Sequence, residues 1–376
     1  MNRRTQDRLH TLLLAVSAAF VAPNALAVSS FTAVNVGNLG TNSSGQVYSV
    51  ADVINNAGQV AGQSKTFDNG QDNGNRAFLW SNGVITNLGA LGTATNGNGY
   101  SSASALNEAG QVAGGADLYV NGIYKGARAV LWSNGSTIDL GSLGTAGGYG
   151  FSYAQHINEV GQVAGVSTLY GNDVDKGQRA ALWSNGSIIN LTGNLGTRAD
   201  GVGTSWVSAL NDAGQVAGTS YLYGQTWPEQ ERAFIWQNGT VTTLGSFGTT
   251  SNGMGYSSAS DINDAGQVVG LYSLFENGQE VGNRAFVWAD GTMQDLNDLV
   301  DVSSLAGFTL VEALDINDAG QDPGHWRQRR PWLASLCPDP RARTANLRPA
   351  AGRPATGRLH GPPAQNLRQS FSLFNL

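Results

Sequence analysis

The chain has 376 residues, of which 51 are glycine and one is cysteine, and its formal net charge is −6. Between Val28 and Gln321 there are 9 Lys and Arg against 24 Asp and Glu, a net charge of −15, and no cysteine. This acidity excludes nucleic acid as a partner, because phosphate binding needs clustered Lys and Arg. The absence of cysteine excludes a disulfide framework, so the body must be stabilised by its own core.

The first 27 residues have the three parts of a secretory signal peptide. Arginines stand near the start, an apolar run extends from Leu12 to Val21, and small residues occupy Ala25 and Ala27. We therefore expect cleavage after Ala27 and an exported mature chain that begins at Val28. No membrane span is expected in the chain as given.

One motif, apolar-Asn-x-Ala/Val-Gly-Gln, recurs six times after the signal peptide. Its asparagines are separated by 52, 51, 53, 52 and 54 residues and lie at Asn55, Asn107, Asn158, Asn211, Asn263 and Asn317. A second motif, Arg-Ala-x-x-Trp, recurs with the same period and ends at Trp80, Trp132, Trp183, Trp236 and Trp288. A fixed period with two landmarks indicates a repeat architecture with one structural unit per copy.

Each unit predicts four strands, which we call a, b, c and d. Strand a alternates into the first motif, as in YSVADVIN, and the following turn leads to a short strand b, QVAG. Strand c is the second motif, and the Ser-Asn-Gly or Gln-Asn-Gly after it predicts a two-residue hairpin with positive φ before strand d. Four short strands in about 52 residues are typical of one blade of a β-propeller.

The two ends of the body predict a closed ring of six blades. Residues 31 to 40, FTAVNVGNLG, are similar to a strand d, GVITNLGALG, with no strands before it. Joined to strands a, b and c of the sixth copy, this segment would complete a blade and remove open sheet edges. A β-solenoid of the same repeats is the alternative fold.

The sixth copy breaks its pattern after Gln321, where Asp-Pro-Gly-His-Trp replaces the expected strand b. The segment from Asp322 to Leu376 has 9 Arg, 2 Asp, eight prolines and Cys337, and predicts a disordered tail. Its codons in the frame one base forward permit a strand b, then Pro-Glu-Pro-Glu, an apolar helix and an Arg cluster. We therefore expect a frameshift after Gln321. The hidden tail resembles the PEP-CTERM sorting signal of exported bacterial envelope proteins.

The body resembles the HAF-repeat family of bacterial extracellular proteins, over about Phe31 to Gln321. That family couples an apolar-Asn-x-x-Gly-Gln motif to a His-Ala-Phe-Leu-Trp motif. Here Arg replaces the His in every copy, at Arg76, Arg128, Arg179, Arg232 and Arg284. The resemblance therefore implies an exported repeat protein and transfers no catalytic residue.

Aromatic residues mark a candidate binding face. In an antiparallel blade, the b–c and d–a connections share one face, and we expect both to be long, variable loops. Tyr119, Tyr170, Tyr223, Trp227 and Phe275 are assigned to the b–c loops. The residues predicted to stack against a sugar or peptide ligand stand near the start of strand a: Tyr48, Tyr100, Phe151, Trp206 and Tyr256. The same aromatics could instead cap the core between blades.

Catalysis and metal binding have less support in the sequence. His156 is the one histidine of the body, without a nucleophile motif, and no His or Cys cluster has metal-ligand spacing. The predicted loops Phe67 to Asn75 and Asn172 to Asp175 contain oxygen ligands suited to Ca²⁺, although neither follows a known calcium pattern. We interpret the motif Trp residues as core, the motif Arg residues as hydrogen-bond or ion-pair partners, and the acidic residues after each motif Asn as turn formers.

The sequence thus favours an exported, non-enzymatic repeat protein that presents variable loops to an extracellular polysaccharide or protein. Two alternatives remain: a glycan-acting lyase or hydrolase that uses Asp or Glu in a central channel, and a purely structural envelope protein.

Overall fold

The computed structural model describes residues 33–193, 195–223, 228–250, 254–300 and 308–321, together with the backbone of Leu13–Leu14 and His325–Gln328. The predicted signal peptide, apart from that dipeptide, and the predicted disordered tail after Gln321, apart from residues 325–328, lie outside the described residues. So does Trp227.

The described chain forms five consecutive four-stranded antiparallel sheets, each with its strands in chain order, and part of a sixth. Sheet 1 consists of β3 (Ser49–Ile54), β4 (Val60–Asp68), β5 (Gln71–Ser81) and β6 (Val84–Gly89). Sheet 2 consists of β7 (Ser101–Leu106), β8 (Val112–Val120), β9 (Ile123–Ser133) and β10 (Ser136–Asp139). Sheet 3 consists of β11 (Ser152–Ile157), β12 (Val163–Gly171), β13 (Val174–Ser184) and β14 (Ser187–Asn190).

Sheets 4 and 5 consist of β15 (Ser205–Leu210), β16 (Val216–Tyr223), β17 (Pro228–Gln237) and β18 (Thr240–Thr243); and β19 (Ser257–Ile262), β20 (Val268–Glu276), β21 (Gln279–Ala289) and β22 (Thr292–Asp295). A short helix, α1 (Leu296–Leu299), precedes sheet 6, which pairs β23 (Phe308–Glu312) with β24 (His325–Gln328). Before sheet 1, β1 (Leu13–Leu14) pairs with β2 (Ala33–Val34).

Strands a and d and both kinds of turn lie where the sequence predicts them. Strand c contains the predicted Arg-Ala-x-x-Trp motif but begins four or five residues before it. The c–d hairpins have the predicted positive φ at their first residue, close to 50° at Asn82, Asn134, Asn185, Asn238 and Asp290.

The prediction of a short strand b and a long b–c loop is wrong. Strand b has eight or nine residues in all five complete sheets. In sheets 1, 2, 3 and 5 a two-residue Asn-Gly or Asn-Asp turn joins strand b directly to strand c, as at Asn121 and Gly122.

Strand a contains a β-bulge at the same position in every complete sheet. The pairing with strand b skips the third residue before the motif Asn, which is Asp52, Ser104, Gln155, Ser208 or Ser260. Opposite the bulge stands the glycine of the QVAG segment. A Cβ at Gly165 would collide with the carbonyl oxygen of Tyr153, and its equivalents in the other sheets face the same kind of contact. Glycine recurs there because the two backbones approach too closely for a side chain.

Neighbouring sheets pack face to face, with a hydrophobic core in each junction. Between sheets 1 and 2, Ala61 and Ala77 meet Val112, Val130 and Trp132. The motif Trp residues contribute to these cores: Trp132 and Trp183 are 3% exposed, Trp236 is 8% exposed, and Trp80 and Trp288 are half-buried.

The fold is therefore an all-β propeller repeat, with five complete blades and an incomplete sixth. Each repeat forms its own antiparallel sheet and packs on the next one, whereas the alternative β-solenoid would hydrogen-bond one repeat to the next edge to edge. Closure into a six-bladed ring stays a prediction. Among the described residues, neither Asn317 nor Asp318 of sheet 6 has a hydrogen bond to Asn55 or Asn56 of sheet 1.

Candidate binding face

The blades present two different faces. The a–b turns and c–d hairpins form what we call the motif-turn face. The b–c hairpins and d–a connections form the opposite side, the hairpin-tip face. Polar residues of the two motifs join adjacent blades by hydrogen bonds.

The motif asparagines form a ladder from sheet to sheet. Each Asn closes its own turn, as when Asn158 Nδ2 donates to Gln162 Oε1 over 2.8 Å and Asn158 Oδ1 accepts from Gln162 N over 2.8 Å. The same Nδ2 also donates to the carbonyl oxygen of Asn211, the motif Asn of the next sheet, over 3.1 Å. This bond occurs at all five junctions, with lengths of 2.9 to 3.2 Å.

A second ladder runs beside the first and involves the acidic residues that follow the motif Asn in sheets 2 to 6. Glu159 N donates to Asp212 Oδ1 over 2.9 Å, and Asp212 N donates to Asp264 Oδ1 over 2.9 Å. In the same way, the backbone N–H groups of Asn56, Glu108 and Asp264 donate to the carboxylates of Glu108, Glu159 and Asp318 in the next sheet. The interpretation as turn formers is therefore wrong in one respect, because these carboxylates bind the backbone of the preceding sheet and not their own turn.

Four of the five motif arginines form a third connection, whereas Arg284 donates to the carbonyl oxygen of its neighbour Asn283. Arg179 is 1% exposed, and its guanidinium donates to the carbonyl oxygens of Gly203 and Gly201 in the connection to the next sheet. Arg76, Arg128 and Arg232 reach Gly99, Gly150 and Gly255 in the same way. Burial lowers the pKa of Arg76, Arg179 and Arg232. The hydrogen-bonding role predicted for these residues agrees with this geometry.

The candidate stacking residues differ in exposure. Tyr48, Tyr100 and Phe151 immediately precede strand a in sheets 1, 2 and 3 and are 48%, 38% and 37% exposed. The Tyr100 hydroxyl reaches Gln63 Oε1 of the preceding sheet over 3.4 Å, so the ring lies across the junction between two blades. We call these three side chains the aromatic row, because they occupy equivalent positions in consecutive sheets of the hairpin-tip face.

The other two candidates lie in packed surroundings. The Trp206 ring meets the Tyr221 ring edge to face, with centroids 5.4 Å apart. Tyr256 is half-buried, and burial together with a hydrogen bond to the Glu231 carboxylate raises the pKa of its hydroxyl. Trp206 therefore packs within sheet 4, and Tyr256 packs across the junction between sheets 4 and 5.

Four of the five aromatics assigned to b–c loops belong to strand b. Tyr119, Tyr170, Tyr223 and Phe275 lie in β8, β12, β16 and β20, and in sheets 2, 3 and 5 the b–c connection that follows is a two-residue turn. Tyr119 packs against Tyr124 across one such hairpin, with ring centroids 5.6 Å apart.

Exposed apolar side chains surround the aromatic row on sheets 2 and 3. Tyr149 in the d–a connection is 40% exposed and has the Lys125 ammonium 5.0 Å from its ring centroid. Val120, Ile123 and Val174 at the hairpin tips are 48%, 57% and 53% exposed. Solvent-facing aromatic and branched side chains gathered on one face mark it as a candidate contact surface.

Two shallow cavities accompany the two faces. One of about 350 Å³ lies in sheet 5 beside Tyr256 and is lined by Phe275, Glu280 and Asn283 among others. The other, of about 290 Å³, lies on the motif-turn face among the motif residues of sheets 3 to 6.

A carboxyl pair lies at the junction of sheets 5 and 6. Asp261 Oδ2 accepts from Ile316 N over 2.8 Å. Burial, together with a hydrogen bond to Asp315, raises the pKa of Asp261 to about 6. Asp261 therefore binds its proton at mildly acidic pH.

His156 lies in strand a of sheet 3, where burial lowers its pKa to about 4. Its imidazole is therefore neutral near pH 7. The two segments predicted as calcium loops are hairpins, with Phe67 to Asn75 spanning the tip of sheet 1 and Asn172 to Asp175 that of sheet 3. Within the described ranges, no three His, Cys, Asp or Glu side chains come together as a metal-binding group.

The sequence profile of a family of unknown function, DUF7453, matches residues 54–321. The chain belongs to this family. The DUF7453 match ends at Gln321, the residue after which the composition changes. It does not test the resemblance to the HAF-repeat family, which stays a prediction. Comparison with curated proteins gives no match.

Several solved structures resemble this DUF7453 protein weakly. The β-propeller domain of the Trilobed protease from Pyrococcus furiosus, described as having an open velcro topology, is 9% identical with a TM-score of 0.31, covering 66% of this chain and 95% of that one. An acylaminoacyl peptidase from Pyrococcus horikoshii is 13% identical with a TM-score of 0.37, covering 80% of this chain and 46% of that one.

A triple arginine-to-alanine mutant of AofleA from Arthrobotrys oligospora is 12% identical with a TM-score of 0.30, covering 71% of this chain and 75% of that one. At these scores, none of the three bears on the function of the DUF7453 chain. No helix in the described segments is long and apolar enough to cross a membrane.

Proposed function

We propose that this protein is an exported, non-enzymatic binding protein whose hairpin-tip face contacts an extracellular polysaccharide. Export is supported by the predicted signal peptide and by the resemblance to extracellular repeat proteins. The proposal depends above all on the aromatic row, in which consecutive blades present an exposed ring at the same position.

A repeated surface suits a repeating ligand. The flat apolar face of a Tyr or Phe ring packs against the C–H face of a sugar, and nearby Asn, Ser and Thr side chains can bond its hydroxyls. When several equivalent rings hold successive sugars of one polymer, later contacts form at high effective concentration and the affinity rises. A folded protein partner, the alternative ligand, has no such repeat.

The test is affinity electrophoresis of the protein through gels that contain extracellular polysaccharide. Tyr100→Ala and Phe151→Ala should each weaken the retardation by about tenfold in Kd, equivalent to ~1.4 kcal/mol. The matched control is Val160→Ala, because Val160 is 70% exposed on the motif-turn face. Equal retardation of all three variants and the wild type, or no retardation by any polysaccharide, would contradict the proposal.

The alternative is a glycan-acting hydrolase or lyase, and the Asp261–Asp315 pair is the observation that favours it. Carboxyls with pKa values moved toward neutrality are typical of general acid–base catalysis, and the other complete sheets have no acid at the Asp261 position. This function requires release of reducing ends from a glycan, with loss of turnover in Asp261→Asn while the aromatic row is intact.

A further inference from the structure

The two ladders that join the blades end in groups of opposite kind that lack the partner from a neighbouring sheet. At sheet 6, Asn317 Nδ2 bonds only Gln321 within its own turn, and Asp318 N donates to no acceptor among the described residues. At sheet 1, the carbonyl oxygen of Asn55 and the side chain of Asn56 receive no donor from a preceding sheet within the same described part of the chain. The arc of blades therefore has a donor end and an acceptor end.

The exposure of the motif residues shows that both ends are open. The motif asparagines of sheets 2 to 5 are 2% to 5% exposed, whereas Asn55 is half-buried and Asn317 is exposed. Ile54 of sheet 1 is 46% exposed, while its equivalents Ile262 and Ile316 are 6% and 7% exposed. The side of sheet 1 that a preceding sheet would cover thus carries uncovered apolar surface.

Residues 35–40 already occupy sheet 1 as the end of a preceding blade would. Gly37 N donates to Asn35 Oδ1 over 2.9 Å, as Gly89 N does to Asn87 Oδ1 in sheet 1's own strand d. Leu39 N donates to Ser64 Oγ over 3.0 Å, as Leu143 N does to Ser167 Oγ where the chain leaves sheet 2 and meets sheet 3. Sheet 1 is therefore shaped to receive another blade.

We propose that sheet 1 binds sheet 6 of a second copy of this chain, head to tail. In the contact, Asp318 N donates to Asn56 Oδ1 and Asn317 Nδ2 donates to the carbonyl oxygen of Asn55, which repeats the bonds of every internal junction. A second copy fits better than closure within one chain, because the donor and acceptor ends of a single copy are not hydrogen-bonded to each other in the described residues. Such a contact is heterologous, so it forms a ring if its rotation closes and a filament if it does not.

The experiment measures the mass of the full chain by light scattering and sedimentation between ~1 and ~200 μM. Masses should rise with concentration above the 39.2 kDa of one chain. Ile54→Arg should weaken association at least tenfold, whereas Ile123→Arg, at a residue that is 57% exposed on a hairpin tip, should leave it unchanged. Asn56→Asp should strengthen association about threefold or more, because an ionised acceptor makes the stronger hydrogen bond found at the other junctions.

Circular dichroism of each variant shows whether its sheets are intact. Because both isoleucines are exposed, the two Arg variants should have the wild-type spectrum. A 39.2 kDa mass at every concentration overturns the proposal, and this includes the case in which the two ends meet within one chain. Equal weakening by Ile54→Arg and Ile123→Arg also overturns it, because association would then not depend on the ladder end.

Discussion

Replacement of Asn158 by Ala should destabilise the protein by about 3 kcal/mol. Asn158 is 3% exposed and makes three hydrogen bonds, two to Gln162 and one to the carbonyl oxygen of Asn211. Each such bond contributes ~1 kcal/mol net, and buried partners left unpaired add to the cost. The change therefore removes both the closure of one turn and a connection between sheets 3 and 4.

Asn317→Ala is the matched control. Asn317 makes the same two bonds with Gln321, at 2.9 Å each, and its Oδ1 also accepts from Ala319 N over 3.1 Å. It is exposed, however, and has no bond to a following sheet among the described residues. Its replacement should cost ~1 kcal/mol, since water can satisfy the groups it leaves. The difference of ~2 kcal/mol in the free energy of unfolding measures the contribution of the bond from Asn158 to the next blade and of the burial of Asn158.

Urea unfolding followed by both tryptophan fluorescence and far-ultraviolet circular dichroism gives the two free energies of unfolding. The protein concentration should be low enough that every sample is monomeric, so that association does not contribute. If Asn158→Ala and Asn317→Ala cost the same, the Asn ladder does not stabilise the blade junctions.

Three further predictions concern the glycines and the titrating groups. Gly165→Ala should lower the free energy of unfolding in urea by ~1 to 3 kcal/mol, because its Cβ meets the Tyr153 carbonyl oxygen. The control is Gly171→Ala, whose Cβ meets only the Lys176 side chain at ordinary distance and which should change the free energy of unfolding by less than ~0.5 kcal/mol. Asp261 has a folded pKa of about 6, above the ordinary 3.8, so the stability of the wild type should fall as pH rises from 3.8 to 6. Asp261→Asn should therefore be more stable than the wild type at pH ~8 but not at pH ~4. The effect of His156 on stability has the opposite dependence on pH, because its folded pKa of about 4 lies below the ordinary 6.5. Its contribution to stability is complete above pH 6.5 and is lost as pH falls toward 4. His156→Asn should therefore remove this dependence of stability on pH in thermal melts from pH ~4 to ~7. A pH profile that is the same for wild type and variant would contradict either assignment.

The repeat and its strands could be predicted because their chemistry is local. Asn-Gly pairs select a tight turn with positive φ, and the two motifs recur in register, so Asn82 and Asn134 have the predicted backbone conformation. The propeller repeat followed from the length of the unit. The length of strand b did not, because polar segments such as Lys65 to Asn75 have the same composition in a loop and in an exposed hairpin.

The connections between blades could not be predicted, because they join residues about 52 positions apart. The sequence shows that an acid follows the motif Asn, but only the packing of sheets shows that Asp212 binds Glu159 N in the blade before it. The bulge in strand a likewise becomes visible only when strands a and b pair, and it explains why the QVAG segment ends in glycine. The same packing distinguishes Phe151, which is exposed, from Tyr256, which bonds Glu231.

The proposal that the aromatic row contacts successive sugars of one polysaccharide can be tested in one titration series. Calorimetric titration of the protein with oligosaccharides of increasing length, prepared from a polysaccharide that it binds, gives Kd as a function of length. If Tyr48, Tyr100 and Phe151 act as successive stacking positions, Kd should fall as the ligand lengthens, until the ligand spans the three blades, and Tyr100→Ala should abolish the gain. A Kd that is independent of length, or a length dependence that Tyr100→Ala leaves unchanged, would contradict the account.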